Sequence, residues 1–379
     1  MRSVVDPRFR AVIANHIMAR GLSQSEVAKR ANVSRSYLSE LINGTKNPSP
    51  QTAKALDEAL GAGGELATLV AIPGEDTDLD HLSASVANPR RIGQETIDAY
   101  GRVLAAQRNL DDAMGASAVL DPTIAQMRTL TAMAAGARGD TRRPVLYQAG
   151  QWAQFLGWLN TSLGRWDEAR RWFGQALTWA MELNDADLIA TVLSYQAHVA
   201  WLTHDPAATI GLAQAAMRDP AVYPGQSAYD AYQSGRAHAA LGDLDEAARM
   251  LDLGDSLADA TDACDVPVPV WQYYRAPWYW RLERGLVRLY MARHDGTHAQ
   301  PAAQELASGM AGMPAEMRNA DWTAEYLVHL ATAHERAGEL DAARSALEQA
   351  RPIVDRDRPT RSSWVRQIVH SKQRALAVR

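Results

Sequence analysis

The sequence has a single cysteine, Cys264, among its 379 residues. One thiol excludes an internal disulfide and a zinc site built from several thiolates, and no histidine lies near it in DACDVP to make a catalytic pair. No apolar run approaches the roughly 20 residues that a membrane-spanning helix needs. The first ten residues, MRSVVDPRFR, lack the apolar stretch of a secretory signal. We therefore expect a cytoplasmic protein that does not enter a membrane.

Strand-like runs of β-branched residues are also absent beyond Gln94, and no phosphate-cradling glycine loop follows a strand. Two His-Asp pairs, at 204–205 and 294–295, have residue types that a metal hydrolase would use. Both pairs fall where other segments of the chain have a turn, and Gly296 interrupts the four-residue spacing from His294 to His298. The sequence therefore indicates no metal, no cofactor and no catalytic residue, and we expect a protein that is not an enzyme.

Residues 22–44, LSQSEVAKRANVSRSYLSELING, have the pattern of two short helices joined by a turn. Ser23 is a typical N-cap for a helix that runs to about Arg30. Asn32 is one of the few residue types that enter the left-handed conformation at low cost, so it suits the turn. Ser34 is placed to cap the second helix.

Apolar side chains at Leu38, Leu41 and Ile42 recur at helical spacing in this second helix. That periodicity leaves Arg35, Ser36, Ser39 and Glu40 on the outer face, and Asn43-Gly44 then ends the helix.

Charge is distributed unequally along the chain. Residues 1–60 hold nine Lys and Arg against five Asp and Glu, a net of +4, whereas the remaining 319 residues hold 30 against 39, a net of −9. Phosphate binding needs positive charge only where a duplex lies, so the N-terminal segment suits nucleic acid and the remainder does not.

The N-terminal segment resembles the Xre/Cro-type domains of phage repressors and bacterial regulators. The matching features are Leu22-Ser23-Gln24, Val27-Ala28, the helix from Ser34 and Leu41-Ile42-Asn43-Gly44, with Asn32 standing where glycine is commonest. The resemblance implies a five-helix lambda-repressor-like DNA-binding domain over residues 1–70, followed by a linker over 71–93 that contains Pro73-Gly74 and Pro89. The alternative is a small helical bundle that does not read DNA.

Site residues follow from the same resemblance, because the family presents the first turn of its second helix to the major groove. Arg35 is then expected against guanine O6 and N7, and Ser36 and Ser39 against a base or a phosphate. Gln24 would touch the backbone and support the first base contact. The residues expected at DNA are Gln24, Ser34, Arg35, Ser36, Ser39, Asn43, Thr45 and Lys46.

A repeat is visible in the remaining sequence. GRWDEARRWFGQAL (164–177), GDLDEAARMLDLGD (242–255) and GELDAARSALEQAR (338–351) share one pattern, with looser copies near Asp205 and Asp295. Their spacings are 41, 37, 53 and 43 residues, and the longest contains the insert VPVPVWQYYRAPWYW. The pattern resembles divergent tetratricopeptide repeats, helix pairs that stack into an α-solenoid. We therefore expect an all-α chain with such an array over 94–379, an extra helix pair at 94–115 and 121–138, and a terminal helix at 362–378.

The first helices of the predicted pairs carry aromatic and polar residues that would line a concave surface. Rings with a few Arg and Gln suit a peptide, although each ring alone is more typical of core packing between repeats. The candidate ligand residues are Gln154, Trp158, Tyr195, His198, Tyr229, Tyr232, Arg236, Trp271, Tyr274, Arg275 and Trp278.

An Xre-type domain joined to tetratricopeptide repeats is similar to the bacterial peptide-pheromone receptors of quorum sensing. The resemblance implies a transcription regulator that binds a pseudo-palindromic operator in double-stranded DNA as a homodimer, and whose repeats bind a signalling peptide or small molecule. The alternative is a scaffold whose repeats bind a protein partner, as an anti-repressor or a sigma-factor-binding protein does, with the DNA-binding domain only for delivery. A narrow aromatic groove would favour the first reading, and an open charged groove the second.

Overall fold

The computed structural model describes residues 9–62, 66, 93–261, 267–315, 317–318, 320–355 and 362–377. Regular structure in these residues is helical, and none of them forms a strand. The chain divides into two compact units, Met1–Arg91 with Asp98–Tyr100, and Ile92–Ile97 with Gly101–Arg379. The all-α fold class predicted from the sequence is confirmed.

The first unit has four helices among its described residues. They are α1 (Phe9–Ala19), α2 (Gln24–Arg30), α3 (Arg35–Asn43) and α4 (Pro50–Leu60). Their apolar faces meet in one core, in which Val27, Leu38 and Leu56 are fully buried. The fifth helix expected from the resemblance, and the expected linker up to residue 92, lie outside the described residues.

Polar side chains at the helix ends define the turn between α2 and α3. Ser23 accepts a hydrogen bond from the Glu26 amide, and Ser34 accepts one from the Tyr37 amide, so both are N-caps as predicted. Asn32 has the predicted left-handed conformation, with φ of 53°. Gly44 ends α3 with φ of 74°. The turn is therefore fixed by its own side chains as well as by the core.

Two arginines of the basic N-terminal segment donate hydrogen bonds at the C-terminal ends of α3 and α4. Arg20 donates to the Gly61 carbonyl at 2.7 Å, and Arg10 donates to the Gly44 carbonyl at 3.3 Å. A cation at a helix C-terminus offsets the partial negative charge of the last carbonyls. Part of the positive charge of this unit therefore stabilises the fold.

The second unit has thirteen α-helices among its described residues. They are α5 (Gln94–Met114), α6 (Ala116–Gly136), α7 (Arg142–Ser162), α8 (Trp166–Leu183), α9 (Ala186–Leu202), α10 (Pro206–Ala216), α11 (Pro224–Leu241), α12 (Leu244–Ala260), α13 (Pro277–Met291), α14 (Ala299–Gly312), α15 (Thr323–Arg336), α16 (Leu340–Val354) and α17 (Ser362–Ala377). Helices α7 to α16 pack as five successive pairs, and α17 packs on α15 and α16. This is the tetratricopeptide-like array expected from the repeat.

The repeat pattern has a simple geometric basis. Gly164, Gly242 and Gly338 have φ of 69°, 86° and 80°, in the left-handed region where glycine is favoured, and each forms the turn within a pair. Five residues after each glycine an alanine is fully buried in the second helix of the pair. The short side chain lets the two helices approach closely.

Glycine has the same purpose at the crossing of α7 and α8. A Cβ atom at Gly157 would overlap the ring of Phe173, which is fully buried. At Gly235 a Cβ would lie 3.1 Å from the Cβ of Met250 on the neighbouring α12. Glycine therefore allows a close approach of the helices at both crossings.

The two looser repeats are also helix pairs. His204 takes φ of 63° in the turn before α10, and the Asp205 carboxylate accepts from the Ala208 amide. Asp295 accepts from the Thr297 amide in a short 3-10 helix at Gly296–His298, where the sequence predicted a loop. Both His-Asp pairs therefore lie at turns, as predicted.

Other boundaries differ from the sequence predictions. Helix α6 begins at Ala116 and not at 121, because Gly115 alone separates it from α5, and the Asp121-Pro122 pair that is typical of a helix start lies inside the helix. The insert ends at Ala276, since Pro277 begins α13. Cys264 lies outside the described residues.

Candidate functional site

Helix α3 presents a polar outer face. Arg35, Ser36 and Asn43 are exposed, whereas Leu38 and Leu41 on the opposite face are buried. Because both ends of α3 are capped and its apolar face is held by the core, the outer side chains stand on a rigid element.

Several of the polar residues bond within the domain. The Asn43 side-chain amide donates to the Ser39 hydroxyl at 3.4 Å, and the Thr45 hydroxyl donates to the Glu40 carbonyl at 3.1 Å. The Ser34 hydroxyl is occupied as an acceptor by the N-cap bond, which leaves its own proton to donate. Gln24 is half-buried at the first position of α2.

Lys46 forms an ion pair with Glu40 at 2.8 Å and lies 5.8 Å from the centre of the Tyr37 ring. Both charged side chains are substantially exposed, so the pair is accessible to exchange with a competing anion. Sequence reasoning placed Glu40 on the outer face but did not predict this pairing.

The second unit contains a partly enclosed cavity of about 110 Å³. Its wall comes from α5, from the first helices of the five pairs and from the insert before α13. The lining residues are Arg108, Asp111, Asp112, Gln154, Phe155, Trp158, Tyr195, His198, Tyr229, Arg236, Trp271, Tyr273, Tyr274, Tyr279, Glu283, Leu286, Trp322, Glu325, Tyr326 and His329.

Eight of the eleven candidate ligand residues line this cavity. They are Gln154, Trp158, Tyr195, His198, Tyr229, Arg236, Trp271 and Tyr274. Successive first helices bring them together because residues on the inner face of each helix recur every three, four or seven positions. The aromatic side chains also contact one another, with the rings of Trp158 and Tyr195 5.7 Å apart.

Tyr232 and Trp278 do not line the cavity, because each fills a helix crossing. Tyr232 is 1% exposed, packs on Gly254 of α12, and donates its hydroxyl proton to Asp255 at 2.7 Å. Trp278 belongs to the first turn of α13, where it packs against Gly312 and stacks on Trp322. Both residues therefore pack between helices of the repeats.

Arg275 also lies outside the cavity wall. Its guanidinium donates to the Gly225 carbonyl at 3.0 Å and to Gln226 at 3.1 Å, and it lies over the ring of Tyr229 at 4.8 Å. These contacts fasten the insert to α11. Arg275 is therefore a structural anchor of the insert.

Buried ionisable groups surround one part of the cavity. Tyr326 donates to the Glu283 carboxylate at 2.5 Å, and Glu283 is 2% exposed. Burial raises the pKa of Glu283, and it raises the pKa of Tyr229 and Tyr326 well above their usual range. The Arg236 guanidinium lies 4.6 Å from the centre of the Trp201 ring, and the charge of Glu283 raises the pKa of Arg236.

Asp111 and Asp112 of α5 connect distant parts of the wall. Asp111 accepts from the Trp158 indole at 2.9 Å. Asp112 accepts from the Tyr273 hydroxyl of the insert and from the Trp322 indole at 3.4 Å, and burial raises the pKa of this carboxyl. Helix α5 therefore closes one side of the cavity and touches the insert and the fifth pair.

Sequence reasoning missed the contributions of α5 and α15. Both have the signal of one helical face, with Arg108, Asp111 and Asp112 spaced by three and four residues, and with Trp322, Glu325, Tyr326 and His329 spaced in the same way. Helix α5 lies outside the repeat copies, whereas α15 directly precedes the copy at 338–351 and could have been found from it.

Two further findings concern the described residues. No helix among them is long and apolar enough to cross a membrane. No three His, Cys, Asp or Glu side chains come together in this part of the chain to hold a metal ion.

Comparison with solved structures finds chains that share little sequence with this one. BtubC (BKLC) from P. vanneervenii is 15% identical with a TM-score of 0.44, over 63% of this chain and 91% of that one. PlcR from Bacillus thuringiensis, in complex with the peptide PapR7 and DNA, is 11% identical with a TM-score of 0.39, over 97% and 98%. The TPR domain of P58(IPK) is 13% identical with a TM-score of 0.22, over 97% of each chain.

Family comparison bears on the first unit. No curated protein matches the sequence significantly. Residues 15–64 match the family model described as Helix-turn-helix, and this range contains α2, the Asn32 turn and α3. The first unit of this chain therefore contains an Xre-type helix-turn-helix domain, and a helical repeat domain follows it.

Proposed function

We propose that this protein is a sequence-specific transcription regulator that reads its operator with α3 and binds a peptide or small-molecule ligand in the cavity of the second unit. The observation that carries the proposal is the polar outer face of α3, which is capped at both ends and held on a buried core. A side chain can discriminate between bases only when its supporting helix holds it in register with the groove.

Arg35 is the residue we assign to base recognition. It is exposed at the first position of α3, where a guanidinium can meet guanine O6 and N7 with two hydrogen bonds. Ser36 and Ser39 follow on the same helix and would donate to a base or a phosphate. Gln24, at the start of α2, would touch the backbone of the duplex.

Residues at the two ends of α3 are assigned to phosphates. Ser34 at the start of the helix, and Asn43, Thr45 and Lys46 at its end, carry hydroxyl, amide or ammonium donors. Lys46 would exchange its ion pair with Glu40 for a phosphate oxygen. The exchange costs little because the pair is exposed, and release of counterions from the duplex favours it.

The cavity supports a sensing role for the second unit. It is partly enclosed and lined mainly by rings, with a few charged groups, which is typical of a site for a small ligand or the end of a peptide. A folded protein partner would instead need a broad exposed surface. The cavity therefore favours the sensor over the scaffold reading.

The proposed regulator acts as a homodimer, because one helix-turn-helix domain covers one half-site and a pseudo-palindromic operator has two. A ligand in the cavity would act through different affinities for arrangements of the dimer that fit the operator and arrangements that do not.

Genome-wide footprinting of the purified protein on DNA of its own organism, at a stated salt concentration, tests the DNA-reading part. We expect discrete footprints with inverted repeats for the wild type and their loss for Arg35→Ala. The control Lys54→Ala, which removes an exposed cation from α4, should keep the same sites with slightly weaker binding. Uniform binding without discrete sites, or footprints unchanged by Arg35→Ala, would contradict the assignment.

A further inference from the structure

We propose that Arg108 is the anchor for a carboxylate of the ligand, so that the cavity takes a molecule with a carboxylate next to an aromatic or aliphatic group. This inference rests on the ligand-binding part of the proposed function and is independent of DNA recognition.

Arg108 is a buried cation with unused hydrogen-bonding capacity. It lies on α5, is 7% exposed and lines the cavity, and its Nη2 atom has no hydrogen-bond partner. Among the described residues no ion pair joins Arg108 to a carboxylate, and its guanidinium lies 5.9 Å from the centre of the Phe155 ring. A guanidinium is almost never buried without an anion, so this position can accept an anionic partner in the cavity.

Burial lowers the pKa of Arg108 to about 10, which leaves the side chain charged at neutral pH. The groups that favour its charged form are the hydroxyls of Tyr195, Tyr273, Tyr147 and Tyr274. Burial raises the pKa of Tyr195, Tyr273 and Tyr147, so these hydroxyls are neutral at that pH and leave the charge uncompensated. A carboxylate would supply the missing charge and two acceptor oxygens that fit the planar guanidinium.

A second arginine in the wall also has spare donors. Arg236 is 4% exposed, and its Nε and Nη2 atoms have no hydrogen-bond partner. It differs from Arg108 because Glu283 offsets its charge. We therefore assign the carboxylate to Arg108, and we assign Arg236 to neutral acceptors of the ligand such as peptide carbonyls.

The carboxyl groups of the wall already have donors. Asp111 accepts from Trp158, and Asp112 accepts from Tyr273 and Trp322. Glu283 accepts from the Tyr326 hydroxyl and also faces the charge of Arg236. Unpartnered N–H donors remain on Arg108 and Arg236, and they complement an acceptor-rich ligand.

The surface beside Arg108 is apolar and aromatic. Phe155 is in contact with its guanidinium and is 3% exposed, and Trp158 and Tyr195 continue the same wall. Rings of this kind cover an apolar side chain. Two sources share the required chemistry, the C-terminal residue of a short peptide and a small organic acid.

The experiment compares acids with their uncharged amides on the purified full chain. One arm uses synthetic tripeptides ending in Phe, Trp or Leu, each as the free acid and as the C-terminal amide. The other arm uses phenylacetate and indole-3-acetate against their amides. Binding is measured by native mass spectrometry and calorimetry, and the arm that binds more tightly identifies the source.

We expect the acids of at least one arm to bind roughly 10- to 100-fold more tightly than their amides, as a charge-assisted hydrogen-bond pair predicts. Arg108→Met should reduce the affinity for the acids to that for the amides. The control Arg128→Met removes an exposed arginine from α6 and should bind like the wild type. Equal binding of acids and amides, acid binding that survives in Arg108→Met, or a wild type that binds neither form would each overturn the proposal.

A stability measurement separates a ligand anchor from a structural residue. An unpaired buried cation destabilises the fold, so Arg108→Met without ligand should unfold at the same temperature as the wild type or higher. A midpoint several degrees lower would overturn the proposal, because Arg108 would then be a structural residue. All these measurements are made without DNA, so their failure and a failure of the footprinting experiment are independent results.

Discussion

At the scale of single residues, short polar side chains at helix ends fix the DNA-reading region, and the sequence predicts them well. Ser23, Asn32 and Ser34 occupy the predicted caps and turn because N-caps and left-handed positions accept few residue types. Pairings between neighbouring exposed side chains are harder to predict. The Lys46–Glu40 ion pair depends on the path of the chain after Gly44, which no local pattern specifies.

The cavity shows a similar division between residues that can be predicted and residues that cannot. The repeat predicts which face of each first helix lies on the common inner surface, and eight of the eleven candidate ligand residues line the cavity. The repeat does not predict which large side chains pack against a glycine of the neighbouring helix. Tyr232 and Trp278 do so, and they fill helix crossings instead of lining the cavity. Nor does the sequence show that Arg108 is buried without a carboxylate, because that depends on packing between distant helices.

Asp230 gives a prediction about pH dependence. It is fully buried on α11, accepts from Gln226 at 2.6 Å and from Gln233 at 3.1 Å, and burial raises its pKa to about 7. The unfolded chain loses this proton near pH 4, so between about pH 4 and 7 the folded state binds more protons and stability falls as the pH rises.

Asp230→Asn should remove this contribution, which has a slope of up to about 1.4 kcal/mol per pH unit. The free energy of unfolding, measured by urea denaturation from pH 5 to 8, should therefore depend less on pH in the variant than in the wild type. The control Asp252→Asn, at an exposed position of α12, should follow the wild type. Identical pH profiles for Asp230→Asn and wild type would show that Asp230 titrates normally.

At the scale of helices, the repeat pattern reflects the close approach of the two helices in each pair. Alanine or glycine at the crossing and a large side chain opposite are required by packing, so the sequence predicts each pair even where its length varies. The start of α6 was mispredicted because Asp121-Pro122 has the composition of a helix start, whereas Gly115 makes the actual break.

Gly157→Ala tests the crossing of α7 and α8. The new methyl group would overlap the Phe173 ring, and overpacking of this kind costs about 1–3 kcal/mol in a rigid core. Gly174→Ala is the matched control, because it lies within α8 with no atom within 4 Å of its new Cβ and should stabilise the protein by up to about 1 kcal/mol.

Urea denaturation should therefore give opposite signs for the two glycine variants. Adding Phe173→Leu to Gly157→Ala should recover part of the loss, since the smaller side chain makes room for the methyl group. Equal effects of the two glycine variants would mean that the crossing is not tightly packed.

At the scale of the whole molecule, the boundary between basic and acidic sequence lies close to the boundary between the two units. The positive segment coincides with the helix-turn-helix domain, and the acidic remainder coincides with the helical array and its cavity. Phosphate attraction is therefore expected at the helix-turn-helix unit, and the acidic array disfavours non-specific binding by its own surface.

The central claim is that α3 reads a base sequence, and the ratio of two dissociation constants tests it most directly. The duplex under the strongest footprint is compared with a shuffled duplex of the same composition at one salt concentration near 150 mM. For the wild type we predict a preference of at least about 1,000-fold, and for Arg35→Ala a preference lower by roughly 10- to 100-fold per half-site. A wild type that binds both duplexes equally would contradict the account.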